Sequence, residues 1–384
     1  MSTDPLTAGV ASGLSNTIAS LVEKWGSAAA GTAKKNFDKG RVALQGGFEK
    51  YLEQTKLRCS KVKTLIHRYD PVSIESAYVP VDMRSGKSII NTDNLVGLGE
   101  DVVHATISGI AGSGKSMTLK YVYLSACQFN YGYIPIFVEL RDIDFDQQDI
   151  QSSINAILEP FIGSLHGDAL KFGLQRGSFF VLFDGFDEIP REKRKKAERE
   201  ILKFVHDYPK CRVLVTSRPD SRLENWQSFV NYEIQPLSEA QVCKLIEKIE
   251  FPKSVKDNFI SRIRSSLYKT HQQLLSNPLL ATMMLMTFEE YAEIPSKMHV
   301  FYRQAFDVLY QRHDRFKPNF SRVYQTGLQF DELERHISTF AFVTQIDNAF
   351  SFDEKMARSY AEKTIAYEDS AIEPAQLGRI LIKG

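Results

Sequence analysis

Eight consecutive residues, Gly109, Ile110, Ala111, Gly112, Ser113, Gly114, Lys115 and Ser116, have the types and spacing of a loop that holds phosphate. They fit the pattern G-x-x-x-x-G-K-[ST] in full. The glycines let the backbone wrap closely, so that N–H groups from Gly109 to Met117 can face phosphate oxygens. Lys115 brings a point charge to the β- and γ-phosphates. The Ser116 hydroxyl is a hard oxygen ligand suited to Mg²⁺. A helix that starts at this point adds the positive end of its dipole. The chemistry implied is binding of a nucleoside triphosphate with Mg²⁺, ATP before GTP, with GTP not excluded.

Such a loop needs a carboxylate for the metal and, for hydrolysis, a base that orients water. The stretch Phe179–Pro190, FFVLFDGFDEIP, offers both. Five apolar residues form a buried strand, and Asp184 stands at its C-terminal end, where ligands bind in open α/β sheets. Asp184 is therefore the expected metal ligand beside Ser116. Glu188 is the expected general base, and Asp187 a second acidic group that helps metal or water. A further strand, Val213–Val215, runs into Thr216, Ser217 and Arg218. The Arg218 charge is placed to distinguish triphosphate from diphosphate. The competing readings are an acidic turn after a strand for 184–188 and a surface arginine before Pro219.

The elements that must position these groups are legible in outline. Val102–Ile107, Ile134–Val138, Phe179–Phe183 and Val213–Val215 are short and apolar, as parallel strands covered on both faces should be. Helical stretches, including Met117–Gln128 and Glu192–Val205, separate them. This alternation predicts an α/β P-loop NTPase core with a parallel sheet of the ASCE type. The charged run Arg191–Glu200 reads as a solvated helix face, without the interleaved aromatics a nucleic-acid patch would want. After residue 238 the chain turns helical, opening with a Ser238…Gln241 capping pair.

Ahead of the core, Leu6, Val10, Leu14, Ile18, Leu21, Val22 and Trp25 recur at helical spacing. They suit either a helix docked on the rest of the chain or an amphipathic segment that engages a membrane or a partner. Residues 37–67 read as further helix, Val72–Val79 as an extended piece, and Arg84–Gly99 as a polar linker or loop. The expected division is 1–95 helical, 96–237 NTPase core, 238–315 helical, and 316–384 the start of a winged-helix domain.

Composition excludes several classes. The chain has 384 residues, 43% hydrophobic and 25% charged, which is globular in balance. A net charge of +1 gives no global field to steer it to nucleic acid or membrane. The four cysteines, Cys59, Cys127, Cys211 and Cys243, are scattered, which argues against a disulfide framework or zinc site and fits a reducing compartment. No apolar run of about 18 residues and no basic leader are present, so a cytoplasmic protein is expected.

Together these motifs resemble the NACHT family of STAND NTPases. The resemblance rests on the phosphate loop, Asp184–Glu188, Ile134–Arg141, Val213–Pro219 with its T-S-R-P ending, Leu275–Leu280, and Leu309–Asp314. It implies that Pro278 packs near the nucleotide base. The N-terminal part, with Lys61–Ile66 and Pro71-Val72, is similar to the helical domain that precedes NACHT in bacterial NLR-related anti-phage proteins. The family implies a switch: ADP holds a closed monomer, a trigger opens it, and the ATP form oligomerises. It also suggests innate immunity against bacteriophage, with a phage-derived trigger. The winged helix that the family leads one to expect is cut short at Gly384. A remodelling motor with fast turnover and a scaffold without turnover are the alternatives. Glu188 and Arg218 argue against the scaffold. The lack of a second arginine finger or a substrate-threading loop argues against the motor.

Overall fold

The computed structural model describes residues 10–28, 31–67, 69–92, 102–129, 131–163, 166–295, 297–315, 330–347, 349, 352, 354–369, 372–375 and 377–378. The chain divides into two compact units, Met1–Val308 and Leu309–Gly384.

The first unit is built on a sheet of seven strands. They are β3 (Asp82–Ser85), β4 (Ser88–Asn91), β5 (His104–Ser108), β6 (Ile134–Glu139), β7 (Phe179–Asp184), β8 (Arg212–Ser217) and β9 (Val230–Ile234). A separate two-stranded ladder, β1 (Lys61–Val62) with β2 (Val72–Ser73), precedes them. The order across the main sheet is β4-β3-β9-β5-β8-β7-β6. The five strands from β9 to β6 are parallel, and the β3–β4 hairpin adds antiparallel to β9. One strand, β8, therefore lies between β5, which leads into the phosphate loop, and β7, which ends at Asp184. This interposed strand is the ASCE arrangement, and the fold class is the one the sequence predicts.

Burial explains the strand sequences. Phe179, Val181, Leu182 and Phe183 of β7 are fully buried, as are Ile134 and Ile136 of β6. Helices cover both faces, so apolar runs replace alternation. The helices that matter for the site are α1 (Val10–Ala28), α2 (Gly31–Ser60), α3 (Lys115–Phe129), α4 (Ile150–Ile162), α5 (His166–Gln175) and α6 (Arg191–Asp207). In α6 the buried positions are Ala197, Ile201, Phe204 and Val205, one stripe at helical spacing, while the charges face outward.

Helices α1 and α2 pack against each other and both reach the sheet, α1 at Phe179 and α2 at Phe137. Leu14, Ile18, Leu21, Val22 and Trp25 of α1 are buried, so this helix packs on the rest of the unit. Trp25 meets Phe48 of α2 and Phe179 of β7 with ring centroids 5.8 and 5.6 Å apart. Its indole N–H donates to Ser178 Oγ at 3.0 Å, which satisfies the one polar atom of a fully buried side chain.

Helices α7 (Glu239–Lys248), α8 (Lys253–Arg262) and α9 (Pro278–Tyr291) follow the sheet. The Ser238–Gln241 capping box forms with both reciprocal bonds. Gln241 also donates through Nε2 to Pro80 O at 3.1 Å, and Lys248 Nζ to Tyr78 O at 2.9 Å. These bonds tie the helical segment to the chain just ahead of β3. The chain continues in α10 (Met298–Arg315). In the second unit, α11 (Phe330–Ile346) and α12 (Glu354–Glu368) pack as a pair, with Ala361, Ile372 and Leu377 buried. His336 is buried there as well. The described residues of 316–384 contribute these two helices; residues 316–329 and 379–384 of the expected winged-helix segment lie outside the described residues.

Three readings of local structure are corrected. Val72–Val79 is not extended throughout: Ser73 caps a helical turn, Ile74–Ala77, by accepting from Glu75 N–H. Arg84–Gly99 is not wholly a loop. Residues 84–91 form most of the β3–β4 hairpin, turning at Gly86 and Lys87, and Gly86 supplies the positive φ of 57°. Strand β9 falls in a stretch given no strand in the sequence reading. Residues 1–9 of the N-terminal segment and 93–99 of the expected linker lie outside the described residues.

Candidate functional site

Four parallel strands deliver their C-terminal ends to one place. Gly109 follows β5, Glu139 ends β6, Asp184 ends β7, and Ser217 ends β8. Glu139 is in register with Asp184, and Ser108 with Ser217. Gly109 N–H donates to Ser217 O at 3.2 Å, which fastens the root of the loop to the neighbouring strand.

The loop itself turns through left-handed backbone at Gly112 and Gly114, with φ of 75° and 92°. A side chain at 112 would be strained by that φ and would also meet Leu279 Cβ at 2.6 Å. Helix α3 opens at Lys115, so its first N–H groups have no intrahelical acceptor. Lys115 Nζ bonds back to Gly109 O at 2.8 Å and Ile110 O at 3.1 Å. Burial lowers its pKa, which Asp187 partly offsets. Two hydroxyls, Ser113 Oγ and Ser217 Oγ, are buried without a hydrogen-bond partner.

Ser116 and Asp184 are brought together across the sheet. Ser116 Oγ donates to Asp184 Oδ1 at 3.1 Å, and Thr216 Oγ1 donates to the same oxygen at 2.6 Å. Thr216 in turn accepts from Gly185 N–H at 2.9 Å. Burial raises the Asp184 pKa above its ordinary value, against the two hydroxyl bonds that lower it. A short 3₁₀ turn, Phe186–Glu188, then carries the other two acids. Asp187 is engaged by Arg218 through both oxygens: the Arg218 N–H reaches Oδ1 and its Nε reaches Oδ2, each at 3.0 Å. Arg194 of α6 donates to Asp187 O at 2.6 Å and Ile189 O at 2.8 Å, so the charged helix clips the acidic turn in place.

Glu188 points to a different partner. Its Oε2 accepts from Arg141 Nη1 at 3.1 Å. Burial raises its pKa, Arg141 opposes that, and Asp184 and Asp187 add to it.

The structure brings Gly109–Met117, Asp184, Asp187, Glu188 and Arg218 together at the C-terminal ends of the parallel strands. Pro278 is the first residue of α9, and its two neighbours reach the loop: Asn277 by its side chain and Leu279 by its N–H, which donates to Gly112 O at 3.4 Å. Asn277 Nδ2 donates to Ala111 O at 2.9 Å, while its Oδ1 caps α9 by accepting from Leu279 and Leu280 N–H. Asn277, Thr216 as the partner of Asp184, and Arg141 as the partner of Glu188 were not singled out from sequence. The Asn-Pro pair opening an apolar helix is the one signal that could have found Asn277.

A parallel sheet of this order with a glycine-rich loop, a helix start and a strand-end carboxylate defines a P-loop NTPase of the ASCE class. The NACHT domain family model matches residues 104–251. Over that segment, which is less than half of the chain, the sequence is similar to NACHT domains. No curated protein matches the chain. Among solved structures, the chain is similar to a STAND protein with a tetratricopeptide repeat sensor from Pyrococcus horikoshii, at 15% identity over 69% of this chain and 36% of that one, with a TM-score of 0.36. It is also similar to the Aeropyrum pernix ORC1 protein solved in complex with DNA, at 13% identity over 76% and 79% of the two chains, TM-score 0.36. Domain III of the Thermotoga maritima replication initiation protein DnaA matches at 12% identity over 57% and 88%, TM-score 0.33. No helix among the described residues is long and apolar enough to cross a membrane.

Proposed function

We propose that this protein is a nucleotide-operated signalling switch that binds ATP with Mg²⁺, hydrolyses it slowly, and self-associates in the ATP form. The observation that carries this reading is the Asn277–Ala111 bond. A residue of the helical segment sits directly on the phosphate loop, so whatever fills that loop acts on the helical segment as well.

The residues present suit the nucleotide and the metal. Two buried, partnerless hydroxyls at Ser113 and Ser217 and the free N–H groups of the helix start are donors in want of an anion. Gly109–Met117 would hold the phosphates, with Lys115 leaving its loop carbonyls for the β- and γ-oxygens. Ser116 and Asp184 would hold Mg²⁺; the metal supplies charge neutralisation on the phosphates. No group of three or more His, Cys, Asp or Glu side chains converges as a metal site among the described residues, so the ion would complete its shell with phosphate and water oxygens. Glu188 would take the proton from the attacking water. Arg218 would exchange Asp187 for the γ-phosphate, and Asp187 released in this way would face metal or water. Pro278, beside Asn277, would pack near the base.

The division 1–95, 96–237, 238–315 and 316–384 is the working domain scheme, with the β3–β4 hairpin of the first part completing the sheet of the second. The resemblance of the N-terminal part to bacterial NLR-related anti-phage proteins supports a role in cytoplasmic antiviral defence, with a phage-derived trigger.

The test is turnover measured together with mass in solution, with ADP, with ATP and without nucleotide. Slow turnover with a rise in mass in ATP is expected. Fast multiple turnover by a species of constant mass would sink the switch and favour a remodelling motor. Lys115→Ala should lose nucleotide binding; Glu188→Gln should keep binding and lose turnover by about 10²–10⁴-fold.

A further inference from the structure

Helix α2 lies against β6, the edge strand of the sheet. Tyr51 OH accepts the N–H of Phe137 in the middle of that strand at 3.0 Å, so the helix satisfies a donor that an edge strand would otherwise leave open. Near the end of the same helix, Arg58 lies 5.7 Å from the Phe137 ring centroid, and its Nη1 is 3.9 Å from Glu139 Oε1. Glu139 also takes a bond from Arg141 Nη2, and Arg141 Nη1 holds Glu188 Oε2. Four side chains of alternating charge, Arg58, Glu139, Arg141 and Glu188, therefore run from the N-terminal helices to the acid assigned as the base.

The central member is shared. Arg141 is claimed chiefly by Glu139 and Glu188, with Asp142 farther off at 3.9 Å from its Nε, and each of the two main claims weakens the other. A carboxylate in a charge-assisted bond to arginine is a poorer proton acceptor and is held in one direction. Arg58, by attracting Glu139, reduces the pull of Glu139 on Arg141 and leaves Arg141 to Glu188. We propose that Arg58 and Arg141 are positioning residues through which the docked α2 helix restrains Glu188, and that release of α2 frees the base. The state of the N-terminal helices is in this way reported to the hydrolytic site without any contact between them and nucleotide. This inference rests on Glu188 being the base.

The experiment uses the full chain with Mg-ATP, or Mg-GTP if that is the better substrate, and measures kcat, KM and nucleotide Kd. Arg58→Ala should raise kcat roughly two- to five-fold, the scale on which exposed ion pairs act, with KM and Kd unchanged. Glu139→Gln should lower kcat on the same scale, because Arg141 is then left to Glu188 alone. In the Arg58→Ala/Glu139→Gln double variant, kcat should equal that of Glu139→Gln. Arg141→Ala should raise kcat, and adding Arg58→Ala to it should change nothing more. Arg58→Lys should return kcat toward the parent value. The proposal is overturned if Arg58→Ala and Glu139→Gln shift kcat in the same direction, if Arg58→Ala acts equally in the Glu139→Gln background, or if Arg58→Lys behaves as Arg58→Ala. Normal turnover by Glu188→Gln overturns the base assignment itself. Loss of turnover in Glu188→Gln with parent-like kcat in the other variants overturns the relay alone.

Discussion

Asn277 and Ala111 are 166 positions apart in sequence and 2.9 Å apart in space, side-chain amide to loop carbonyl. The same asparagine caps α9, so one side chain does two jobs with two different atoms. Asn277→Asp keeps an oxygen for the cap and loses the N–H that reaches the loop. Asn277→Ala loses both, and the cap alone is worth about 1 kcal/mol. Both variants should release a fluorescent ADP analogue faster, by about 2–10-fold for one hydrogen bond, while only Asn277→Ala should melt appreciably earlier. Unchanged release from Asn277→Asp would reduce Asn277 to a helix cap.

Thr216 is the support on which Asp184 rests. Its hydroxyl donates to Asp184 Oδ1 and accepts from Gly185 N–H, which fixes the carboxylate facing Ser116. Thr216→Val is close in shape and removes both bonds. Loss of a group that orients a metal ligand typically costs about 10–100-fold in metal affinity. The Mg²⁺ concentration giving half-maximal turnover should rise by that order while nucleotide affinity without metal stays put. Equal Mg²⁺ dependence would show that Ser116 alone orients Asp184.

The pattern of what was legible follows from where the chemistry sits in the chain. Phosphate binding needs contiguous backbone, so Gly109–Ser116 announces itself. Asp184 is readable because five buried residues point to it. The bonds that set each acid's partner are made by residues far away: Thr216, Arg141 and Arg218 choose Asp184, Glu188 and Asp187 through folding, and spacing says nothing about which goes with which. Strand β9 escaped because Val230–Ile234 carries Asn231 and Glu233. Asn231 is accommodated inside the sheet by a bond from Thr106 Oγ1 at 2.6 Å, a compensation only the fold supplies. The β3–β4 hairpin escaped because its strands are only four residues each and at least half polar, with two residues between them.

As the proposed base, Glu188 should set the acid side of the pH profile. Its pKa is raised chiefly by burial, with Arg141 pulling the other way. A base works only when deprotonated, so kcat should fall as pH drops through a midpoint above the ordinary glutamate value of 4.5. Removing the cation in Arg141→Ala should move that midpoint further up, since the carboxylate loses its stabilising partner. Steady-state rates across pH under saturating Mg²⁺ check this; a midpoint that moves down in Arg141→Ala would mean that another group titrates.

Trp25 decides whether the N-terminal helices stay docked. It is fully buried between Phe48 and Phe179, bonded to Ser178, and packed so closely on α5 that a Cβ at Gly173 would lie 2.9 Å from its ring. Trp25→Ala empties the centre of that cluster, and deletions of this size cost about 3–5 kcal/mol in a protein core. Phe179 opens the very strand that ends at Asp184, so the loss is felt along β7. Protection from hydrogen exchange should fall in α1 and α2 first, while α3 and the phosphate loop keep theirs, and nucleotide should still bind. Trp25→Phe retains the ring but leaves Ser178 Oγ without its donor, and should fall between the two. Uniform loss of protection across the whole sheet in Trp25→Ala would mean that α1 and α2 are part of one cooperative core, and that their release cannot occur while the site remains folded.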